Sequence, residues 1–182
     1  MHNPLPPIKR HLFLTGDKQV GKSTLLRRLI DVCQLDCAGF ETRAFFLDDR
    51  RAGFTLHGRI NMPPYENDCV CFARINERQC VPVLPVLEGN GVQILKGSLA
   101  SPAPFILMDE LGRLERDAHG FIEQLFACLD SEKRCIGVLQ KCGSEHVARI
   151  AARQDVTVLT VTAENREALL EFLAAQFSVR SK

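Results

Sequence analysis

Residues 11–30 read HLFLTGDKQVGKSTLLRRLI, and this stretch decides the fold. Its first part, His11 to Thr15, is a short and mostly apolar run of the kind that forms a buried strand. From Thr24 to Cys33 the apolar residues recur at helical spacing. Between the two lies G-x-x-x-x-G-K-S, the phosphate-loop (Walker A) pattern, in the strand-to-helix position that the pattern requires. The stretch therefore predicts a strand, a phosphate loop and a helix in succession.

The residue types of this loop suit the binding of a nucleoside triphosphate. Glycine lets the backbone turn so that several N–H groups point at one anion, and the next helix adds the positive end of its dipole. Lys22 is predicted to reach the β- and γ-phosphates and to act in catalysis, while Ser23 is predicted to supply an oxygen ligand to Mg²⁺. The predicted nucleotide-binding residues of the loop are Gly16, Asp17, Lys18, Gln19, Val20, Gly21, Lys22, Ser23 and Thr24.

A buried strand, whose apolar part is Phe105 to Met108, is predicted to end in an acidic pair. Asp109 and Glu110 form the Walker B arrangement, at the strand end where open α/β sheets place their ligands. Asp109 is predicted to hold Mg²⁺, through water, and Glu110 to orient and deprotonate the attacking water. A solvated cap is the alternative for two adjacent carboxylates, but a phosphate loop earlier in the chain favours the catalytic interpretation.

Alternating apolar and amphipathic segments predict an α/β fold: a three-layer α/β/α P-loop NTPase domain with a mainly parallel central sheet and an antiparallel hairpin. One domain is expected over residues 1–182. The hairpin is predicted from Phe40 to Leu47 and from Gly53 to Leu56. The segment from His57 to Glu88 is predicted to be an irregular insertion with edge strands, β-rich around 69–72 and 81–87. Further helices are predicted over 92–99, 117–129, 145–152 and 166–177, and strands over 135–139 and 156–161.

Charge, hydropathy and cysteine content limit the possible ligands and the expected location of the protein. A formal net charge of +1 over 182 residues disfavours a broad face for nucleic acid. No apolar run approaches the ~20 residues of a membrane span, and residues 1–10 lack the apolar run of an export signal, so a cytoplasmic location is expected. The eight cysteines are expected to be reduced. Cys69, Cys71 and Cys80 could together hold a metal, but small buried apolar groups are the favoured interpretation of these cysteines.

Three further motifs carry a family resemblance. Residues 39–42 read GFET, residues 109–115 read DELGRLE and residues 161–169 read VTAENREAL. With the phosphate loop, they make the chain resemble the P-loop nucleoside-triphosphatase family of the thermophile and human cancer-related type. The resemblance implies Mg²⁺-dependent hydrolysis of several nucleoside triphosphates to diphosphate and phosphate, with little base selectivity. It also implies that Glu110 activates the water.

The chain departs from the family pattern after the GFET motif. Ala44 and Phe46 stand where the family usually has a glutamate and an arginine. Arg51, Arg59 and Arg113 are the candidates for an arginine that contacts the γ-phosphate, and a solvated surface charge is the alternative for each of them.

Asn165 and Arg166 follow the last predicted strand and carry two interpretations. They lie on the side where related folds contact the base or ribose, so both are predicted to bind nucleotide. Asn165 could equally cap the final helix, as Thr162 is also placed to do. The sequence leaves the two interpretations open.

Three other classes of function compete with hydrolysis. A GTP-binding switch would use D-x-x-G at 109–112, but the guanine-reading motif it needs is incomplete at residues 140–143, which read QKCG. A P-loop kinase would need an arginine-rich helical lid, and only Arg113 and Arg116 follow the acidic pair closely. A slow nucleotide-dependent adaptor would use His57 to Glu88 as its partner surface. The sequence does not identify a protein partner, and a hydrolase is favoured.

Overall fold

The computed structural model describes residues 6–63, 66–76 and 79–178. Residues 1–5, which belong to the segment predicted to lack an export signal, lie outside the described residues. Residues 64–65 and 77–78 of the predicted insertion and residues 179–182 of the predicted domain also lie outside them. No helix of the described part is long and apolar enough to cross a bilayer.

A single eight-stranded sheet forms the centre of the molecule. Its strand order is β5-β4-β3-β2-β6-β7-β1-β8. The strands β2, β6, β7, β1 and β8 run parallel to one another, whereas β3, β4 and β5 continue the sheet beyond β2 with antiparallel pairing. The strands are β1 (His11–Thr15), β2 (Cys37–Leu47), β3 (Arg50–Gly58), β4 (Cys69–Arg74), β5 (Cys80–Pro82), β6 (Phe105–Leu111), β7 (Arg134–Leu139) and β8 (Val156–Thr160). The predicted α/β class with a mainly parallel sheet is confirmed.

Helices cover both faces of the sheet because successive strand residues point to opposite sides. On β1, Phe13 belongs to one apolar cluster and Leu12 and Leu14 belong to another. The cluster around Phe13 is covered by α3, α4 and α5, and the other cluster by α1 and α6. The helices are α1 (Lys22–Val32), α2 (Leu84–Val86), α3 (Val92–Ala100), α4 (His119–Asp130), α5 (Glu145–Ala151) and α6 (Arg166–Ser178), with a π-helical turn, Leu87–Gly91, between α2 and α3. The three predicted layers are present.

The β2–β3 hairpin projects beyond the carboxyl edge of the parallel strands. Glu41 of β2 pairs with Asp109 of β6, and β2 then continues for six residues to Leu47. Six strand residues span roughly 20 Å. Asp48 and Asp49 turn the chain with φ angles of 48° and 59°, the left-handed conformation of the tight turns that match strand twist. The predicted hairpin is confirmed, and it forms a wall above the sheet edge.

The predicted irregular insertion contains more regular structure than its sequence indicates. β4 and β5 are antiparallel edge strands, as predicted. The prediction of β structure from 81 to 87 is wrong after Pro82, because a helix begins at Leu84 and runs through the π-helical turn into α3. Pro85 lies in the first turn of this helix, where the N–H that proline lacks would have no partner in the helix.

Candidate active site

The phosphate loop lies between β1 and α1, at the carboxyl edge of the sheet. Gly16 and Gly21 have φ angles of 144° and 92°. A Cβ at Gly16 would collide with the carbonyl oxygen of Val161, so this position requires glycine. Gly21 precedes α1, and no side chain caps the first turn of that helix. The loop therefore directs the positive end of an uncapped 11-residue helix toward the cleft that it lines.

Lys22 folds back across its own loop. Its side-chain Nζ donates to the carbonyl oxygen of Gly16 at 3.1 Å and to that of Asp17 at 2.7 Å. The Asp17 carboxylate accepts a hydrogen bond of 2.8 Å from Lys141, which follows β7. Hydrogen bonding to Lys141 lowers the pKa of Asp17. Two lysines thus lie at the mouth of the loop, both held by oxygen atoms of loop residues.

Ser23 and Asp109 are brought together by the fold, 86 positions apart in the chain. The Ser23 hydroxyl donates to Asp109 Oδ1 at 2.8 Å. Asp109 is 3% exposed, and burial raises the pKa of its carboxyl to about 6. The guanidinium of Arg27 lies 4.0 Å from Oδ2. The Ser23 hydroxyl and the Asp109 carboxylate are oxygen groups of the kind that binds Mg²⁺.

Glu110 takes a different direction from Asp109. It lines a cleft of about 1410 Å³ together with the whole phosphate loop except Val20, whereas Asp109 is not among the lining residues. The strand β6 runs to Leu111, one residue beyond the acidic pair with which it was predicted to end. Its pairing with β7 is irregular between Met108 and Leu111. The two carboxylates are therefore divided between the contact with Ser23 and the cleft.

Comparison with known proteins identifies the family. A profile of the family described as NTPase matches residues 11–174. The chain is 32% identical over 170 residues to the nucleoside-triphosphatase THEP1 of Thermotoga petrophila, covering 88% of each chain. It is 31% identical over 182 residues to the cancer-related nucleoside-triphosphatase of Homo sapiens, covering 88% of this chain and 93% of the human protein. The chain belongs to the NTPase family.

Solved structures of NTPase-family proteins share the fold. The solution structure of a human cancer-related nucleoside triphosphatase matches with a TM-score of 0.71 and 26% identity, over 95% of this chain and 100% of that chain. The crystal structure of THEP1 from Aquifex aeolicus matches with a TM-score of 0.70, over 90% of this chain and 96% of that chain. Its sequence identity is 19%, so this match supports a shared fold and nothing more. The predicted family is confirmed.

Glu41 is a charged group of this NTPase site that the sequence predictions did not single out. It is buried on β2 beside Asp109. Burial opposes ionisation of Glu41, but the hydrogen bond from Arg59 at 3.0 Å and the charges of Arg43 and Arg27 lower its pKa. Its place within the GFET motif is the sequence feature that could have indicated a role. Arg27, which lies 4.0 Å from Asp109, also has its Nε 3.7 Å from a Glu41 carboxylate oxygen.

The three candidate arginines for the γ-phosphate lie in different places. Arg59 is bound to Glu41 and is not among the residues that line the cleft. Arg51 and Arg113 both line the cleft with Glu110 and the phosphate loop. The fold therefore separates Arg59 from the other two, which the sequence could not do.

Asn165 and Arg166 lie at the start of α6. The Asn165 side chain accepts from the backbone N–H of Thr162 at 2.8 Å and donates to the carbonyl oxygen of Thr160 at 2.9 Å. The Thr162 hydroxyl accepts from the Asn165 N–H at 3.2 Å. Both polar groups of the Asn165 side chain are thus used within the turn. Arg166 lies against Gly21 and lines a small cleft of about 180 Å³.

The cysteines contribute no cluster of metal ligands. Within residues 6–63, 66–76 and 79–178, no group of three or more His, Cys, Asp or Glu side chains is placed to hold a metal. Cys71 is buried, and its thiol donates to the carbonyl oxygen of Phe54. Burial raises the pKa of the Cys71 thiol to about 12, so this group stays protonated at neutral pH.

Proposed function

We propose that this protein is a Mg²⁺-dependent nucleoside-triphosphatase that releases phosphate from several nucleoside triphosphates with little base selectivity. One observation carries the proposal: Ser23 meets the buried Asp109 at 2.8 Å, while Glu110, the next residue, lines the cleft of the phosphate loop. Family membership supports it, because the relatives are named nucleoside-triphosphatases.

Different residues of the site bind the phosphates, hold Mg²⁺ and activate the water in the proposed reaction. The loop N–H groups and Lys22 bind the phosphate chain, and the lysine charge offsets the negative charge that shifts toward the β–γ bridging oxygen. Ser23 and Asp109 would hold Mg²⁺, which supplies further positive charge at the β- and γ-phosphates when bound. Glu110 orients a water molecule and accepts its proton as the water attacks the γ-phosphorus.

Low base selectivity is supported by the contacts of Asn165 and of residues 140–143. Asn165 uses its amide oxygen and one amide N–H on backbone groups of Thr162 and Thr160, which favours a role in the turn over a role in distinguishing base edges. Residues 140–143, the incomplete guanine motif, face the phosphate loop through the Lys141–Asp17 ion pair and line the large cleft.

A cytoplasmic location is also proposed, since all eight cysteines are free thiols.

The decisive experiment is phosphate release from ATP, GTP, CTP and UTP, with and without Mg²⁺ and with no acceptor added. Similar rates for the four nucleotides in Mg²⁺ are expected. Phosphate that is released only when an acceptor is present, or is kept on that acceptor, would contradict hydrolysis and favour a kinase.

Glu110→Gln tests the assignment of the general base. The variant keeps the shape of the side chain but removes the proton acceptor, so phosphate release is expected to fall roughly 10²- to 10⁴-fold. Binding of Mg·ATP, measured by titration calorimetry, should be retained. Glu123→Gln, on the exposed face of α4 and away from the cleft, is the matched control. Full turnover in Glu110→Gln would remove Glu110 from the mechanism.

A further inference from the structure

Glu110 lies in an irregular part of β6. Regular pairing with β7 stops at Met108 and resumes at Leu111, so that two residues of β6, Asp109 and Glu110, lie opposite one residue of β7. The pairing of β6 with its other neighbour, β2, ends at Asp109. An extra residue of this kind bends a strand and redirects a side chain. The strand ladder therefore does not by itself fix the direction of Glu110, and the contacts of the residues that follow it become important.

The chain is held again directly after Glu110. The carbonyl oxygen of Leu111 accepts the N–H of Gln140 at 2.8 Å. The N–H of Gly112 donates to Oε2 of Glu115 at 2.9 Å, and the side chain of Gln140 occupies the space that a Cβ at Gly112 would need. The first hydrogen bond joins two main-chain groups, whereas the second depends on the side chain of Glu115.

Glu115 is an unusual residue for a buried position. It is 3% exposed, although its two neighbours, Leu114 and Arg116, line the cleft. Within the part of the chain that the structure describes, Glu115 forms no ion pair, in contrast to Glu41, which three arginines share. Burial of a carboxyl group without a cation costs free energy. The hydrogen bond from Gly112 offsets part of that cost, and it also joins Glu115 to the chain next to Glu110.

We propose that Glu115 is a positioning residue for catalysis. By holding the Gly112 N–H, it fixes the main chain two residues after Glu110 and so keeps the Glu110 carboxylate directed at the attacking water. Such placement matters because a displacement of about 1 Å in a reacting group can lower a rate roughly 100-fold. The inference rests on the proposed function, since it takes Glu110 to be the general base. Glu115 itself exchanges no proton with the substrate.

The main test is the steady-state kinetics of phosphate release from Mg·ATP by Glu115→Ala. This variant leaves the Gly112 N–H without its acceptor. We expect kcat to fall roughly 10- to 100-fold, while KM stays within about twofold because the phosphate loop is untouched. A fall in kcat at unchanged KM is the pattern of a displaced catalytic group. An unchanged kcat in the folded variant would overturn the inference.

His11→Ala is the matched control for a purely structural loss. His11 is fully buried at the first residue of β1, the end of that strand away from the phosphate loop. Its Nδ1 accepts the N–H of Cys135 at 2.9 Å, so His11→Ala also leaves a buried backbone N–H without an acceptor. Both variants should lose thermal stability, but His11→Ala should keep the kcat of the original protein. A loss of kcat of the same size in the control would assign the effect to destabilisation and overturn the positioning role.

Two further variants at position 115 separate the reach of the side chain from its charge. Glu115→Gln keeps an acceptor oxygen at the same reach and should restore most of the turnover. Glu115→Asp keeps the carboxylate but is shorter by one CH₂ group, so its kcat should be lower than that of Glu115→Gln. The reverse order would overturn the inference, because it would assign the effect to the charge. This pair also decides the question if the thermal transition shows that Glu115→Ala does not fold.

The double variant Glu110→Gln/Glu115→Ala tests whether Glu115 acts through Glu110. If it does, the double variant should turn over no more slowly than Glu110→Gln alone, because no general base is left to position. Losses that multiply would show an independent role and contradict the inference. Full turnover in Glu110→Gln would instead contradict the proposed mechanism, and the inference with it. A loss in Glu110→Gln without any loss in Glu115→Ala would leave the proposed function intact and overturn the positioning role alone.

Discussion

At the scale of single residues, Asp109 is the group on which metal binding is expected to depend. Its carboxylate is buried and accepts a hydrogen bond from Ser23. Asp109→Asn keeps the size of the side chain and removes its charge. The Mg²⁺ concentration for half-maximal phosphate release is expected to rise roughly 10- to 100-fold, the range seen when groups that orient metal ligands are lost.

A Mg²⁺ titration of phosphate release checks this expectation for Asp109. Asp117→Asn is the control, because Asp117 is an exposed carboxylate on the rim of the same cleft and is paired with Arg116. An unchanged Mg²⁺ requirement in Asp109→Asn would exclude Asp109 from the metal site.

Glu115 gives a pH-dependent prediction. It is buried, and its carboxylate accepts the N–H of Gly112 at 2.9 Å, two residues after Glu110. Burial raises the pKa of Glu115 from 4.5 to about 7. Because the folded protein binds this proton more tightly than the unfolded chain does, the Glu115 contribution to the free energy of unfolding falls as pH rises from about 4.5 to about 7.

Glu115→Gln removes this titration and keeps an acceptor for the Gly112 N–H. The variant should therefore gain stability relative to the original protein as pH increases, by up to about 3 kcal/mol between pH 4 and pH 8. Urea unfolding at a series of pH values measures the difference. A stability difference that stays constant with pH would show that Glu115 does not titrate with a raised pKa.

At the scale of elements, the close pairing of β2 with β6 puts Glu41 beside Asp109. Gly39 lies in this pairing with a φ angle of 105°, and a Cβ there would collide with the backbone of Leu107. Gly39→Ala combines an unfavourable backbone conformation with a clash that cannot relax by side-chain rotation. The free energy of unfolding is expected to fall by about 3 kcal/mol or more.

Gly89→Ala is the matched control for this prediction. Gly89 lies in the π-helical turn, and nothing lies within 4 Å of a Cβ built there. Here the substitution should be neutral or should stabilise by about 0.4–1 kcal/mol, since alanine restricts the unfolded chain. The free energies of unfolding of the two variants, measured in urea, should therefore differ, with a fall for Gly39→Ala and no fall for Gly89→Ala. Equal changes in the two variants would contradict the packing argument at Gly39.

At the scale of the whole molecule, nucleotide binding should stabilise the fold, because the site is assembled from several parts of the chain. Mg·ADP at 100 times its Kd contributes about 2.7 kcal/mol. For a domain of this size, that corresponds to a rise in Tm of roughly 5–10 °C. Lys22→Ala should lose most of the shift, as should addition of a chelator. A Tm that is independent of Mg·ADP would argue against this site.

Much of the fold could be predicted from local patterns. The strand His11–Thr15, the phosphate loop and the β2–β3 hairpin follow from apolar spacing, turn residues and glycines that lie close together in the chain. The helix that begins at Leu84 was missed, because Pro82 and Pro85 suggest broken strands and only the structure shows Pro85 in a first helical turn. The strand that ends in the acidic pair was predicted, and the structure extends it by one residue, to Leu111.

The sequence by itself determined the chemistry at the phosphate loop. All the groups of that loop are adjacent in the chain, so their spacing along the chain sets their arrangement around a phosphate. The tertiary structure alone decided which distant groups meet. It brought Asp109 into contact with Ser23 and Arg59 into contact with Glu41, and it placed Glu110 and Arg51 at the large cleft. The physical reason is that sheet order and strand register set these distances, and both depend on how all the strands and helices pack together.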